Sequence, residues 1–168
     1  MIFVTVGTHE QPFNRLIKAI DNLVANGDIN EKVIVQSGFS TYVPKHCETH
    51  KMMSFEEMQQ ALKDARIVIT HGGPSSFIEA LQFGKVPIVV PRQEKFNEHV
   101  NNHQVDFTKL ISERMNNIIP VYDIDDLKKT INNYNHIAKE KNTGKSSNNY
   151  YFNDKLNNIV VDLFKQNK

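Results

Sequence analysis

The sequence predicts an α/β protein in which a mostly parallel sheet carries helices on both faces. Three observations lead there. Short continuous apolar runs, the mark of strands buried on both sides, recur along the chain. Between them apolar residues fall at helical spacing, and glycine or proline stands at nearly every junction. At 168 residues the chain can bury a sizeable core, as one domain rather than two.

Ile2 to Val6 is the first apolar run and ends at Gly7. Pro12 suits a first helical turn, Phe13, Leu16, Ile17, Ile20, Leu23 and Val24 form a helical stripe, and Gly27 suits the stop. Lys32 to Gln36 is a second strand, and a looser region up to Met53 holds one more near Cys47. Ser54 and Glu57 make a capping box ahead of Phe55, Met58, Ala61 and Leu62, and the strand Arg66 to Thr70 follows. After Gly72-Gly73-Pro74-Ser75-Ser76 comes a helix bearing Phe77, Ile78, Ala80, Leu81 and Phe83, closed by Gly84 ahead of the strand Val86 to Val90. A helix from Glu98 to Met115, a strand from Ile118 to Tyr122 and a helix from Ile124 to about Lys141 complete the pattern. Such strand-helix repeats imply a Rossmann-like sheet, with ligands bound beyond the carboxyl ends of the strands. Asn142 to Asn149 reads as a polar linker. A last helix carries the stripe Phe152, Leu156, Ile159, Val160, Leu163 and Phe164, which packs on its own sheet or docks on another chain. The chain thus divides into a body, residues 1–141, and a linker with an amphipathic helix, residues 142–168.

Twenty basic against 19 acidic residues, a formal net charge of +1, offer no basic face for nucleic acid. The single cysteine, Cys47, forms no internal disulfide. Met1-Ile2-Phe3-Val4 opens the chain without a basic n-region and long apolar core, so a cytoplasmic location is expected. No apolar run reaches the roughly 20 residues that span a bilayer, which leaves membrane association peripheral or borrowed from a partner.

The chemistry concentrates between Ile67 and Pro91. A strand, a glycine-hydroxyl loop and a helix place the amides of Gly72 to Ser76 at a helix start, where unpaired donors and the macrodipole favour an anion such as a diphosphate. An ordinary tight turn is the alternative. Neither Gly-x-Gly-x-x-Gly after the first strand nor a Walker lysine is present, which disfavours dinucleotide oxidoreductases and kinases. Glu79, one turn into the helix, can accept hydrogen bonds from a ribose diol or simply complement the helix terminus. Phe55 can lie against a base or belong to the core. Thr8, His9 and Glu10 follow the first strand at the same edge; His9 or His71 can serve as general base, or hydrogen-bond a turn. His99 and His103 have zinc-ligand spacing on the expected helix, but no third ligand is evident. Asp123-Ile124-Asp125 has a metal-binding look, and Asp123 as an N-cap is the better reading.

Thr70-His71-Gly72-Gly73-Pro74-Ser75-Ser76, Glu79-Ala80-Leu81, Gly84-Lys85-Val86-Pro87 and Val90-Pro91 resemble the C-terminal, donor-binding half of GT-B glycosyltransferases of the peptidoglycan and dolichol-linked UDP-GlcNAc transferase type. The opening Val4 to Ile17 and the later Glu98 to Gln104 look like small bacterial exopolysaccharide and capsule glycosyltransferases. The resemblance covers about residues 1 to 140.

It implies a metal-independent, cofactor-free, inverting hexosyltransferase subunit with a UDP-sugar as donor substrate. The diphosphate would lie on Gly73, Ser75 and Ser76, with Glu79 on the ribose and the Phe55 backbone at uracil. Glu98, His99 and Gln104 would face the sugar, with galactose or N-acetylglucosamine expected. A membrane-anchored partner protein would supply the acceptor-binding half and a lipid-linked saccharide acceptor, recruiting the chain to the inner face of the cell membrane. The rival readings are a noncatalytic nucleotide-binding module that regulates or assembles a partner, and a stand-alone hydrolase, for which no nucleophile elbow is present.

Overall fold

A computed structural model describes residues 1–142, 154, 155 and 157. The expected last helix and its stripe lie outside the described residues, apart from positions 154, 155 and 157. Among the described residues six parallel strands form one sheet in the order β3-β2-β1-β4-β5-β6: β1 (Ile2–Thr5), β2 (Val33–Gln36), β3 (Glu48–His50), β4 (Ile67–His71), β5 (Ile88–Val90) and β6 (Ile119–Pro120). Among residues 1–142 the helices are α1 (Asn14–Ala25), α2 (Phe55–Asp64), α3 (Pro74–Gln82), α4 (His103–Met115), α5 (Asp126–Asn132) and α6 (Tyr134–Lys139), with a 3₁₀ turn at Glu94–Phe96.

Alternation along the strands divides the core between the two faces. Ile2, Val4, Ile67, Ile69, Ile88 and Val90 pack with Leu16, Ile17 and Ile20 of α1 and with Leu127, Ile131 and Tyr134 of α5 and α6. Phe3 and Val68 turn to the other side against Ala61 and Leu62 of α2 and Ala80 of α3, while Val89 meets Phe77 of α3, with Phe107 and Ile111 of α4 alongside. No helix among the described residues is long and apolar enough to cross a membrane.

Local signals set most boundaries. The capping box is complete: the Glu57 amide donates to Ser54 Oγ at 3.2 Å and the Ser54 amide to Glu57 Oε2 at 2.7 Å. Ser54→Ala is expected to cost about 1 kcal/mol, read as a lower midpoint in urea unfolding. Gly27 and Gly84 follow α1 and α3 with φ of 73° and 68°.

Four expectations are corrected. Pro12 lies ahead of the first helix, whose N-cap is Phe13. The helix expected from Glu98 begins at His103, because Glu98 is drawn into an ion pair described below. The helix expected from Ile124 to Lys141 is two, meeting at Asn133, and the Tyr134 hydroxyl that starts the second donates to Val86 O at 2.9 Å. Asp125 is the N-cap of α5, while Asp123 Oδ1 accepts from the Asp125 amide at 3.1 Å.

Candidate functional site

In a parallel sheet every strand ends on the same edge, and the order here reverses between β1 and β4. A crevice opens at such a switch point. The loop Gly7 to Glu10 leaves β1 on one side of it, and Gly72-Gly73 leaves β4 on the other. The β5 loop, including Arg92, Gln93 and Glu98, and the start of α2 at Phe55 lie on the same edge.

The structure narrows the anion loop. The Gly72 amide donates to Gln104 Oε1 at 3.1 Å, and the Gly73 amide to His71 Nδ1 at 3.0 Å. Pro74 at N1 has no N–H. Gly73 is the N-cap, no side chain caps α3, and Ser75 and Ser76 in its first turn have no intrahelical partner for their amides. Of the donors expected from Gly72 to Ser76, these two amides therefore remain, beside the exposed Ser75 and the partly exposed Ser76. Glu79 is half-buried one turn on.

His71 is the last residue of β4, and its buried ring has both nitrogens engaged, Nδ1 by Gly73 and Nε2 by Ser76 Oγ at 3.1 Å. Burial, then the nearby Arg92 charge, pushes its pKa down to about 4. With both nitrogens engaged, the ring fits the turn-bonding alternative stated for it. His9 is half-buried, and its Nδ1 accepts from the Gln11 amide at 3.1 Å. The neutral ring thus carries its proton on Nε2 and presents a donor.

The residues expected to face a sugar are largely committed elsewhere. Glu98 is buried and takes a bidentate bond from Arg15, 2.8 Å from Nε and 2.9 Å from Nη2, while the Gln93 amide donates to its Oε2 at 3.1 Å. Gln104 Oε1 accepts from both Gly72 and Arg92 amides, the latter at 3.2 Å. His99 is buried, with Nδ1 unpartnered, and its ring packs between that of His9, tilted by 44° with centroids 4.6 Å apart, and that of His103, edge-on at 4.4 Å. Burial, then the neighbouring His103, His9 and Arg92, lower its pKa. Among the described residues no group of three or more His, Cys, Asp or Glu could hold a metal ion. Phe55 is 70% exposed, so the core alternative for it fails. Thr8 is exposed at the crevice.

Two arginines escaped the sequence reading. Arg92 is fully buried, its guanidinium donating to Val6 O at 2.8 Å, Gln11 O at 2.7 Å and Glu98 O at 3.1 Å. Burial, partly offset by Glu98, brings its pKa down to about 10. Arg92 thereby ties the segment after β1 to the β5 loop, and Arg15 of α1 holds the β5 loop from the other side through Glu98 and Pro91 O, the latter at 3.2 Å. The available signal was Arg92 itself, a charge directly after the apolar run Ile88 to Val90 and Pro91.

A family model described as the glycosyltransferase family 28 C-terminal domain matches residues 1–162. The chain belongs to this family. The chain is 33% identical over 119 residues to the UDP-N-acetylglucosamine transferase subunit ALG13 of Mus musculus, covering 64% of this chain and 9% of that one. The Homo sapiens ALG13 subunit is 32% identical over 117 residues, 64% of this chain and 10% of that one. The chain therefore spans about a tenth of the length of these curated relatives. Among solved structures, the glycotransferase of kitacinnamycin superposes with a TM-score of 0.55 at 14% identity, over 82% of this chain and 36% of that one. Spinosyn forosaminyltransferase SpnP does so with a TM-score of 0.55 at 15% identity, over 95% and 43%. The family match makes the chain a glycosyltransferase family 28 C-terminal domain, and these neighbours show that its fold is that of a GT-B half.

Proposed function

We propose that this family 28 domain is the catalytic, UDP-sugar-binding subunit of a two-component inverting glycosyltransferase that adds a hexose to a lipid-linked oligosaccharide in exopolysaccharide or capsule synthesis. The observation that carries the donor site is the uncapped N-terminus of α3 at the switch point, with Ser75 and Ser76 amides free in a site that holds no neighbouring basic side chain on the loop. The relatives' printed name, a UDP-N-acetylglucosamine transferase subunit, supports both the donor class and a partner. Galactose or N-acetylglucosamine is the proposed sugar. The chain works on the inner face of the cell membrane, recruited by a membrane-anchored, acceptor-binding partner.

In this reading the diphosphate sits on the Ser75 and Ser76 amides and accepts from the exposed Ser75 hydroxyl as well, Glu79 accepts from the ribose hydroxyls, and exposed Phe55 covers the uracil. An acceptor hydroxyl attacks the anomeric carbon from the face opposite the diphosphate. As the new C–O bond forms, the bond to the β-phosphate oxygen breaks and its electron pair leaves on UDP, where the helix terminus stabilises the charge. The acceptor proton passes to a base from the partner, since His71 has no free nitrogen and His9 presents an N–H. Neither metal nor cofactor is required.

Isothermal titration with UDP tests the core of the proposal. Wild type is expected to bind, and Ser75→Ala and Glu79→Ala each to weaken binding by about tenfold, the loss of one hydrogen bond involving a charged group. No UDP binding by wild type at millimolar concentration would sink the reading. Co-expression with the membrane partner and a panel of labelled UDP-sugars then tests transfer; binding without transfer in that preparation would make this a noncatalytic module.

A further inference from the structure

The imidazole of His71 joins the opening of α3 to its first turn, and its partners dictate where its proton sits. The Gly73 amide can only donate, so at 3.0 Å from Nδ1 it requires a lone pair there. Nε2 then carries the single ring proton and, 3.1 Å away, donates it to Ser76 Oγ. The ring is held in place by two glycine backbones. A Cβ built on Gly73 would lie 2.1 Å from Cε1, and one on Gly7 would lie 2.4 Å from Nε2. Larger residues at either position would displace it.

We infer that His71 is a positioning residue which, fixed as its Nε2–H tautomer, makes the Ser76 hydroxyl an obligate donor to an anion bound at the N-terminus of α3. A serine hydroxyl carries one proton and accepts through its oxygen. With the oxygen accepting from Nε2, the O–H remains for a ligand oxygen beside the uncapped amides of Ser75 and Ser76. The chain of donors runs Gly73 N–H to Nδ1, Nε2–H to Oγ, and O–H to the anion, each bond polarising the next. An imidazolium could not take this place, because it would set an N–H against the Gly73 N–H. The inference rests on the diphosphate reading of this loop and deepens it, explaining why a histidine is buried beneath an anion site without touching the anion.

Nitrogen NMR of the histidine rings in the full chain at neutral pH reads the tautomer, with the His71 signals assigned by their loss in His71→Asn. The expected result is a protonated Nε2 and a bare Nδ1. UDP titrations of wild type, Ser76→Ala, His71→Asn and the double variant read the function, with thermal melts to confirm that each is folded. Asparagine restores an acceptor for Gly73, and its shorter amide places no donor at the Nε2 position that serves Ser76. Each single substitution is expected to weaken UDP by about tenfold, and the double variant to be no weaker than Ser76→Ala alone. Ser75→Ala, by contrast, adds in full to His71→Asn. An Nδ1–H tautomer in wild type, or full additivity of His71→Asn with Ser76→Ala, overturns this inference while UDP binding stands. Failure of wild type to bind UDP overturns the diphosphate reading and the inference with it.

Discussion

Glu98→Ala is expected to destabilise the fold by about 3–5 kcal/mol, the range for removing one partner of a buried ion pair. The Glu98 side chain is 3% exposed and that of Arg15 13%. Its loss leaves the Arg15 guanidinium with only its bond to Pro91 O, takes the Glu98 charge away from Arg92, and removes the acceptor of the Gln93 amide. Two guanidinium donors there, Arg15 Nη1 and Arg92 Nε, already lack partners, so removing the carboxylate adds to a set of unpaired buried donors. For a domain of this size the loss lowers the melting temperature by on the order of 10 °C, measurable by calorimetry. The measurement also separates two roles. A carboxylate that touches sugar would weaken donor binding and leave the melting temperature alone, whereas an ion pair that joins α1 to the β5 loop lowers the melting temperature first.

Gly7→Ala is expected to follow closely, at about 2–5 kcal/mol. Its φ of 72° costs an L-residue about 1–2 kcal/mol, and a Cβ 2.4 Å from His71 Nε2 adds about 1–3 kcal/mol of overpacking. Two other glycines resolve the sum. Gly73 has an ordinary φ of −77°, so Gly73→Ala carries only the clash with His71 at 2.1 Å. Gly27 has a φ of 73° and nothing within 4 Å of its would-be Cβ, so Gly27→Ala carries only the backbone strain. Urea unfolding should therefore place Gly7→Ala below both. UDP binding should fall more than tenfold in the two variants that displace His71, a loss of more than about 1.4 kcal/mol, and stay unchanged in Gly27→Ala. Loss of binding in Gly27→Ala would show that the crevice responds to general destabilisation rather than to the position of His71.

Elements whose causes are local were legible in the residues. The capping box at Ser54 and Glu57, the apolar run of β1, the glycine stops after α1 and α3, and the helix start after Gly73 all depend on neighbours within a few positions. The misplaced elements depend on distant ones. Helical spacing from Glu98 onward lost to an ion pair with Arg15, 83 residues away, and the break between α5 and α6 coincides with a Tyr134 bond to Val86, 48 residues away. The anion loop was recognisable as such, yet which of its amides are free was not, because Gln104 takes the Gly72 amide from 32 residues away.

Composition, periodicity and short motifs by themselves determined the fold class, the parallel strand-helix order and the edge at which Gly72 to Ser76 would lie. Tertiary structure decided which residues work at that edge. It buried Glu98 and Gln104 in loop-holding bonds, exposed Phe55, engaged both nitrogens of His71, and brought Arg92 to Val6 across 86 residues of chain. The reason is physical. Secondary structure answers to backbone geometry and side-chain spacing over one or two turns, whereas the partner of a buried charge or donor is whatever the strand order sets beside it.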